Sequence, residues 1–134
     1  MLVFDPRSLV SGSATDLQRL SPAALAYIGD AVYELYIRTY YLMPPKRSGL
    51  YHQAVVGQVR AERQAEHLQT LIPYLNEQEL DILKRGRNSA TRSPKRLDRQ
   101  IYQQATSLET LIGYLYLRDP CRLTHLLGYL ILDE

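Results

Sequence analysis

Two carboxylates, Asp30 and Glu109, stand in helical stretches that are otherwise almost entirely uncharged. Between Pro22 and Ile37 the only acids are Asp30 and Glu34, and every other residue is Ala, Gly, Pro, Leu, Ile, Val or Tyr. From Ala105 to Leu117 the only charged residue is Glu109. A helix apolar nearly all round is expected to be buried on most sides. A lone carboxylate in such a place costs several kcal/mol or takes up a proton. Each acid also has a glycine close by: Gly29 beside Asp30, and Gly113 one turn after Glu109. Glycine costs a helix about 1 kcal/mol against alanine, and it lets a second backbone approach. Two helices crossing at those glycines would bring Asp30 and Glu109 together. Paired carboxylates repel unless a proton or a cation lies between them. Magnesium suits such a pair, since it accepts one or two carboxylates, keeps several waters and leaves positions open for a phosphate. The competing reading is structural, with each acid accepting hydrogen bonds from a tyrosine or an arginine. Spacing alone does not separate the two.

The formal charge of the chain is only +2, but the basic charge is local. Lys84, Arg85, Arg87, Arg92, Lys95, Arg96 and Arg99 are accompanied by one acid, Asp98, so the segment carries +6 and the remainder −4. Such a cluster is either a polyanion grip or a solvated surface. The metal reading of the acid pair gains from this segment, because a carboxylate–metal centre beside a polybasic stretch is what phosphodiester cleavage needs. Arg60, Lys46 and Arg47 are weaker candidates for the same role.

The elements that must hold these groups are helices. Ser21-Pro22 joins an N-cap serine to a proline at the first helical position, predicting a helix to about Leu42, ahead of Pro44-Pro45. A second helix is expected from about Gly49 to Leu71, stopped by Pro73. Asn76-Glu-Gln-Glu79 has the form of a capping box and opens a short helix through Leu80, Leu83 and Lys84. The stretch from Gly86 to Arg96 is rich in turn formers, without periodicity, and reads as a loop. A long helix from about Asp98 to Arg118 follows. Asp119-Pro120 then repeats the cap-plus-proline signal for a last helix to about Leu132. Residues 1–20 read as a polar, irregular extension, and no alternating strand pattern is present. The class is all-α, with one domain over 21–134.

Composition narrows the chemistry. At 46% hydrophobic and 22% charged residues, a globular protein is expected. No run of about 18 apolar residues predicts a membrane span, and no secretory signal is apparent at the start. A single cysteine, Cys121, forms no internal disulfide and no cysteine cage, which fits a reducing cytoplasm. His52, His67 and His125 lack the spacing of a histidine-bound hydrolytic metal.

The run Tyr27-Ile-Gly-Asp-Ala-Val-Tyr-Glu34 resembles the signature of the ribonuclease III family, and Ala105-Thr-Ser-Leu-Glu-Thr-Leu-Ile-Gly113 resembles its second acidic motif. Lys84-Arg-Gly-Arg-Asn88, followed by Pro94-Lys95, is similar to a segment of the short Mini-ribonuclease III branch, which lacks a separate double-stranded RNA-binding domain. The resemblance covers about residues 20–130 and makes 21–134 a ribonuclease III catalytic domain. It implies an all-helical, two-fold homodimer that cuts double-stranded RNA with Mg²⁺, or Mn²⁺ as a substitute, leaving 5′-phosphate and 3′-hydroxyl ends. The implied substrate is the precursor of large-subunit (23S) ribosomal RNA, with a ribosomal protein as a candidate helper.

By this resemblance Asp30 and Glu109 are the catalytic metal ligands. Two acids of the longer enzymes are missing, replaced by Ala26 and Thr106, so water or main chain must complete the metal shell. Thr106 and Glu34 stand as outer supports of the site, Glu34 alternatively as the partner of an arginine. Lys84, Arg85, Arg87, Asn88, Arg92, Lys95 and Arg96 are the candidate RNA contacts. Two rivals remain: a helical RNA-binding module that has lost its active site, and a helical dimerisation protein whose acids are structural.

Overall fold

The computed structural model describes residues 4–10, 14–90 and 98–133. Among them it places seven α-helices and no strand. These are α1 (Ala14–Gln18), α2 (Pro22–Tyr40), α3 (Ser48–Val59), α4 (Ala61–Leu71), α5 (Glu77–Ser89), α6 (Arg99–Arg118) and α7 (Pro120–Leu127). The central element is α6. It buries Leu108, Leu111, Ile112 and Leu115 and packs against α2, α4, α5 and α7.

The start signals read from the sequence operate as expected. The Ser21 hydroxyl accepts from the Ala24 amide at 3.1 Å, and Pro22 opens α2. Asn76 and Glu79 close a reciprocal capping box on α5, at 2.8 and 3.0 Å. Asp119 caps α7, with Pro120 behind it. The termini of α2 and α6 also lie close to their expected positions.

Several expectations need correction. The α2 helix is not covered on most sides. Its buried residues Leu25, Gly29, Tyr33 and Ile37 repeat every four positions and form one stripe, while Tyr27 is 84% and Leu35 66% exposed. The single helix expected over 49–71 is two, broken at Arg60, whose ψ of 155° is extended. Side chains make the break affordable: the Gln58 carbonyl accepts from the Tyr33 hydroxyl at 2.8 Å, and the Val59 carbonyl accepts from Gln64 Nε2 at 2.8 Å. Two carbonyls orphaned at a helix end thus find partners.

The supposed loop beginning at Gly86 is the last turn of α5. Gly86 lies so close to α6 that a Cβ there would sit 2.6 Å from Thr110 Oγ1 and 3.0 Å from the Ser107 Cα. The last helix ends at Leu127 rather than Leu132. The following tail is tied down at Asp133, whose carboxylate accepts from Gln58 Nε2 at 2.9 Å and Arg63 Nη2 at 3.3 Å. The N-terminal extension also holds ordered structure, a 3₁₀ turn over Pro6–Leu9 and the short α1.

Candidate active site

The helices α2 and α6 cross at the two glycines. A Cβ on Gly29 would lie 1.8 Å from the Glu109 carbonyl oxygen, and one on Gly113 would lie 1.9 Å from that of Leu25. No other residue permits this approach of backbone to backbone. It sets Asp30 of α2 beside Glu109 of α6, and both line one open cavity of about 280 Å³. From α2 come Ala26, Tyr27 and Asp30; from α6 come Tyr102, Thr106 and Glu109; the end of α5 adds Ser89 and Ala90.

Asp30 is exposed, and Glu109 lies deeper in the wall. Burial pushes the Glu109 carboxyl up to about 8, assisted by its hydrogen bond with Asp30 and by the charge of that neighbour. The contrast with Glu79 is instructive. Glu79 is buried too, but it accepts from Arg122 Nε at 2.8 Å and Nη2 at 2.9 Å, so it is an acid of the structural kind. Among the described residues neither Asp30 nor Glu109 pairs with a cation or a tyrosine hydroxyl. What Glu109 faces is a second acid.

The donor set fits a hard divalent cation. Two carboxylates and the hydroxyl-bearing Thr106 share an open-sided cavity, as an ion that prefers oxygen and retains water requires. Among the described residues no group of three or more His, Cys, Asp or Glu could hold a metal. The remaining positions would fall to water and substrate oxygens.

A pH dependence follows from Glu109. Its proton stays on in the folded chain up to about pH 8, whereas the unfolded chain loses it near the ordinary value of 4.5. The unfolded state then binds fewer protons, so stability falls as pH rises across that window, by at most about 1.4 kcal/mol per unit. His67, which burial lowers to about 4, acts in the opposite sense at acid pH. Above its ordinary value of 6.5 the Glu109 slope therefore outlasts it. In chelator, the melting temperature of wild type should drop from pH 6.5 to 8, and Glu109→Gln should flatten the drop and melt higher at pH 8. Parallel profiles for the two proteins would contradict the buried, protonated Glu109.

Other sequence candidates fall elsewhere. Glu34 is in ion-pair contact with Arg38 at 2.5 Å, beside a groove lined by Tyr51 and His52, and is not in the wall of the Asp30 cavity. Lys84 and Arg87 line a separate cavity of about 290 Å³ between α4, α5 and α6, with Gln100 and Gln104. Arg85 points toward α1 and donates to the Gln18 carbonyl at 3.3 Å. Asn88 is exposed in the last turn of α5. Arg92, Lys95 and Arg96 lie outside the described residues. Sequence reasoning passed over Tyr102, although the spacing of residues 102, 106 and 109 on one helix face was there to be read.

Comparison with known proteins gives this arrangement its class. The Ribonuclease III domain family matches residues 23–120, the span that contains both acidic helices and the α5 segment between them. A Mini-ribonuclease 3 of Synechocystis sp. is 53% identical over 127 residues, covering 95% of this chain and 89% of the relative. A Mini-ribonuclease 3 of a Synechococcus strain is 57% identical over 117 residues, covering 87% and 85%. A crystal structure of a protein from Fusobacterium nucleatum superposes with a TM-score of 0.78 at 31% identity, covering 89% of this chain and 96% of that one. The chain belongs to the ribonuclease III family, on its Mini-ribonuclease 3 branch, and is an endoribonuclease.

Proposed function

We propose that this endoribonuclease cuts double-stranded RNA in a Mg²⁺-dependent reaction at Asp30 and Glu109, leaving 5′-phosphate and 3′-hydroxyl ends. The observation that carries the proposal is the acid pair itself, a carboxyl pushed to about 8 and facing a second carboxylate with no cation among the described side chains. Asp30 and Glu109 would hold the divalent ion, which when bound would supply charge stabilisation at the scissile phosphate and a lowered pKa for an attacking water. Asp30, exposed, would hold the ion from the solvent side, and Glu109 would hold it from the cavity wall in its deprotonated form. The Thr106 hydroxyl, one turn before Glu109, borders the same space and orients water at its edge.

Duplex cleavage needs one site for each strand, and a two-fold homodimer provides two. The uncovered apolar face of α2, with Tyr27 and Leu35 exposed, supports that assembly. The catalytic domain itself holds RNA in this reading, through phosphate and 2′-hydroxyl contacts. Lys84 and Arg87, exposed on α5, are the leading candidate contacts, with Arg85 and Asn88 beside them, and Arg92, Lys95 and Arg96 follow in the same sequence segment. Resemblance to the short branch supports the large-subunit (23S) ribosomal RNA precursor as the cellular substrate, with a ribosomal protein as helper. The single cysteine supports a reducing cytoplasm, and among the described residues no helix is long and apolar enough to cross a membrane.

The test is to incubate the pure chain with one RNA sequence in duplex and single-stranded form, in Mg²⁺ and in chelator. Cleavage of the duplex in Mg²⁺ alone, with 5′-phosphate products, is the expected result. Binding without cleavage in any metal would favour the rival module that has lost its active site.

The grip makes its own prediction. Each phosphate contact releases condensed counterions, so duplex affinity should fall steeply with salt. Replacing Lys84 and Arg87 with alanine should reduce the slope of log affinity against log salt by about one for each contact. Both side chains are exposed, so melting should hardly change. An unchanged slope would place the grip elsewhere.

A further inference from the structure

We propose that Tyr102 positions the substrate, its hydroxyl holding the RNA backbone at the nucleotide neighbouring the scissile bond and so fixing the register of the cut. The inference rests on the duplex-cleaving reading of the Asp30–Glu109 cavity and names a residue that the acidic motifs do not contain.

Three observations lead to it. Tyr102, Thr106 and Glu109 lie at i, i+4 and i+7 on α6, on one face of the helix, and all three line the cavity that holds Asp30. At 1.5 Å per residue, Tyr102 stands about 10 Å along the helix from Glu109. Helical side chains lean toward the N-terminus, so the Tyr102 side chain is directed along the wall away from the carboxylates.

The second observation is that, among the described residues, the cavity wall carries no cation, and its side-chain polar groups other than the acids are hydroxyls. An anionic backbone brought up to two carboxylates requires donors. Ser89 is committed, since its hydroxyl donates to the Gly86 carbonyl at 2.8 Å. Tyr27 also lines the wall, but it stands 84% exposed, so its ring is not held in place.

The third is the state of Tyr102 itself. Its ring is half-buried in the wall, which limits where the side chain can go. Its backbone amide is satisfied by Asp98, at 3.0 Å, but its hydroxyl makes no hydrogen bond within the described residues. A held ring with a free O–H at the mouth of an acidic cavity can donate to a phosphate or ribose oxygen without reorganising.

The experiment compares wild type, Tyr102→Phe and Tyr102→Leu as full chains on an end-labelled duplex RNA in Mg²⁺. It reads kcat, KM and the distribution of cut positions, with Mg²⁺ affinity by calorimetry and melting temperature alongside. Removing one hydrogen bond to a charged group should lower kcat/KM of Tyr102→Phe about tenfold or more. Cuts should spread to neighbouring bonds, with Mg²⁺ affinity and melting unchanged. Wild-type efficiency and register in Tyr102→Phe would overturn the proposal. Retention by phenylalanine with loss by leucine would also overturn it, because the ring and not the hydroxyl would then matter. A loss that tracks melting or Mg²⁺ affinity would make Tyr102 structural and would equally overturn it. If wild type itself leaves the duplex uncut, the functional reading fails, a result distinct from any difference between variants.

Discussion

Asp30→Asn should fold normally and lose RNA cleavage by about a thousandfold or more. The substitution keeps the shape of the side chain and removes its charge. A carboxylate that holds a catalytic cation supports several kcal/mol of transition-state stabilisation, and each 1.36 kcal/mol is about a factor of ten in rate. The fold should not suffer, because Asp30 is exposed and its described partner is another acid. Glu109 keeps its proton at neutral pH, and asparagine still offers it an oxygen acceptor. Loss of cleavage with a nearly unchanged melting temperature is therefore the expected result, read by gel assay and thermal unfolding on the same preparation. Near-normal cleavage would end the assignment of Asp30. Thr106→Asp asks the complementary question. By restoring the acid of the longer enzymes in the same cavity, it should tighten Mg²⁺ binding or leave cleavage intact.

The second large effect is expected on stability. Gly29→Ala places a methyl group 1.8 Å from the Glu109 carbonyl oxygen, 2.7 Å from its carbon and 2.8 Å from the Gly113 nitrogen. All three are backbone atoms of α6, so no side chain can swing away, and the two helices must separate. Their separation unpacks Leu25, Leu108 and Ile112, which are almost fully buried. A loss above about 4 kcal/mol is expected, a large share of the roughly 5–15 kcal/mol that holds a domain. Gly113→Ala should behave alike, meeting the Leu25 oxygen at 1.9 Å. Gly57→Ala is the control: it lies in α3, and a Cβ there would meet nothing within 4 Å. That change should be neutral or stabilise by roughly 0.5–1 kcal/mol. Urea unfolding of the three variants measures this directly. Similar stabilities for all three would mean that the glycines do not set the helix crossing.

The same glycines show which parts of the molecule were legible in the sequence. Gly29 and Gly113 are poor choices for a helix interior, and each adjoins an unexplained acid. Local cost and local anomaly pointed to one crossing, and the crossing is there. The caps at Ser21, Asn76 and Asp119 were legible for a similar reason, since each is a short-range hydrogen bond between neighbours in the chain.

What escaped depends on contacts remote in sequence. The break at Arg60 is supported by Tyr33 and Gln64, whose donors reach the Gln58 and Val59 carbonyls. Gly86-Arg-Asn-Ser89 looks like a turn by composition, yet it continues α5 because Gly86 fits closely against Thr110. That correction divides the basic segment. Lys84 and Arg87 line a cavity with residues of α6, while Arg85 is drawn toward α1. Nor could composition tell that α2 buries one stripe and leaves Tyr27 and Leu35 exposed, because Leu, Ile and Tyr serve an interior and an interface equally well.

The account turns on whether Asp30 and Glu109 together form the cation site, and direct calorimetric titration with Mg²⁺ at pH 7 tests this without relying on activity. With the Glu109 proton held to about pH 8, ion binding must displace it. Wild type should release about one proton per site, detected by repeating the titration in buffers of different ionisation enthalpy. Asp30→Asn and Glu109→Gln should each lose most of the affinity, and Glu109→Gln should release no proton. Equal Mg²⁺ affinity in wild type and in the variant carrying both substitutions would contradict the account.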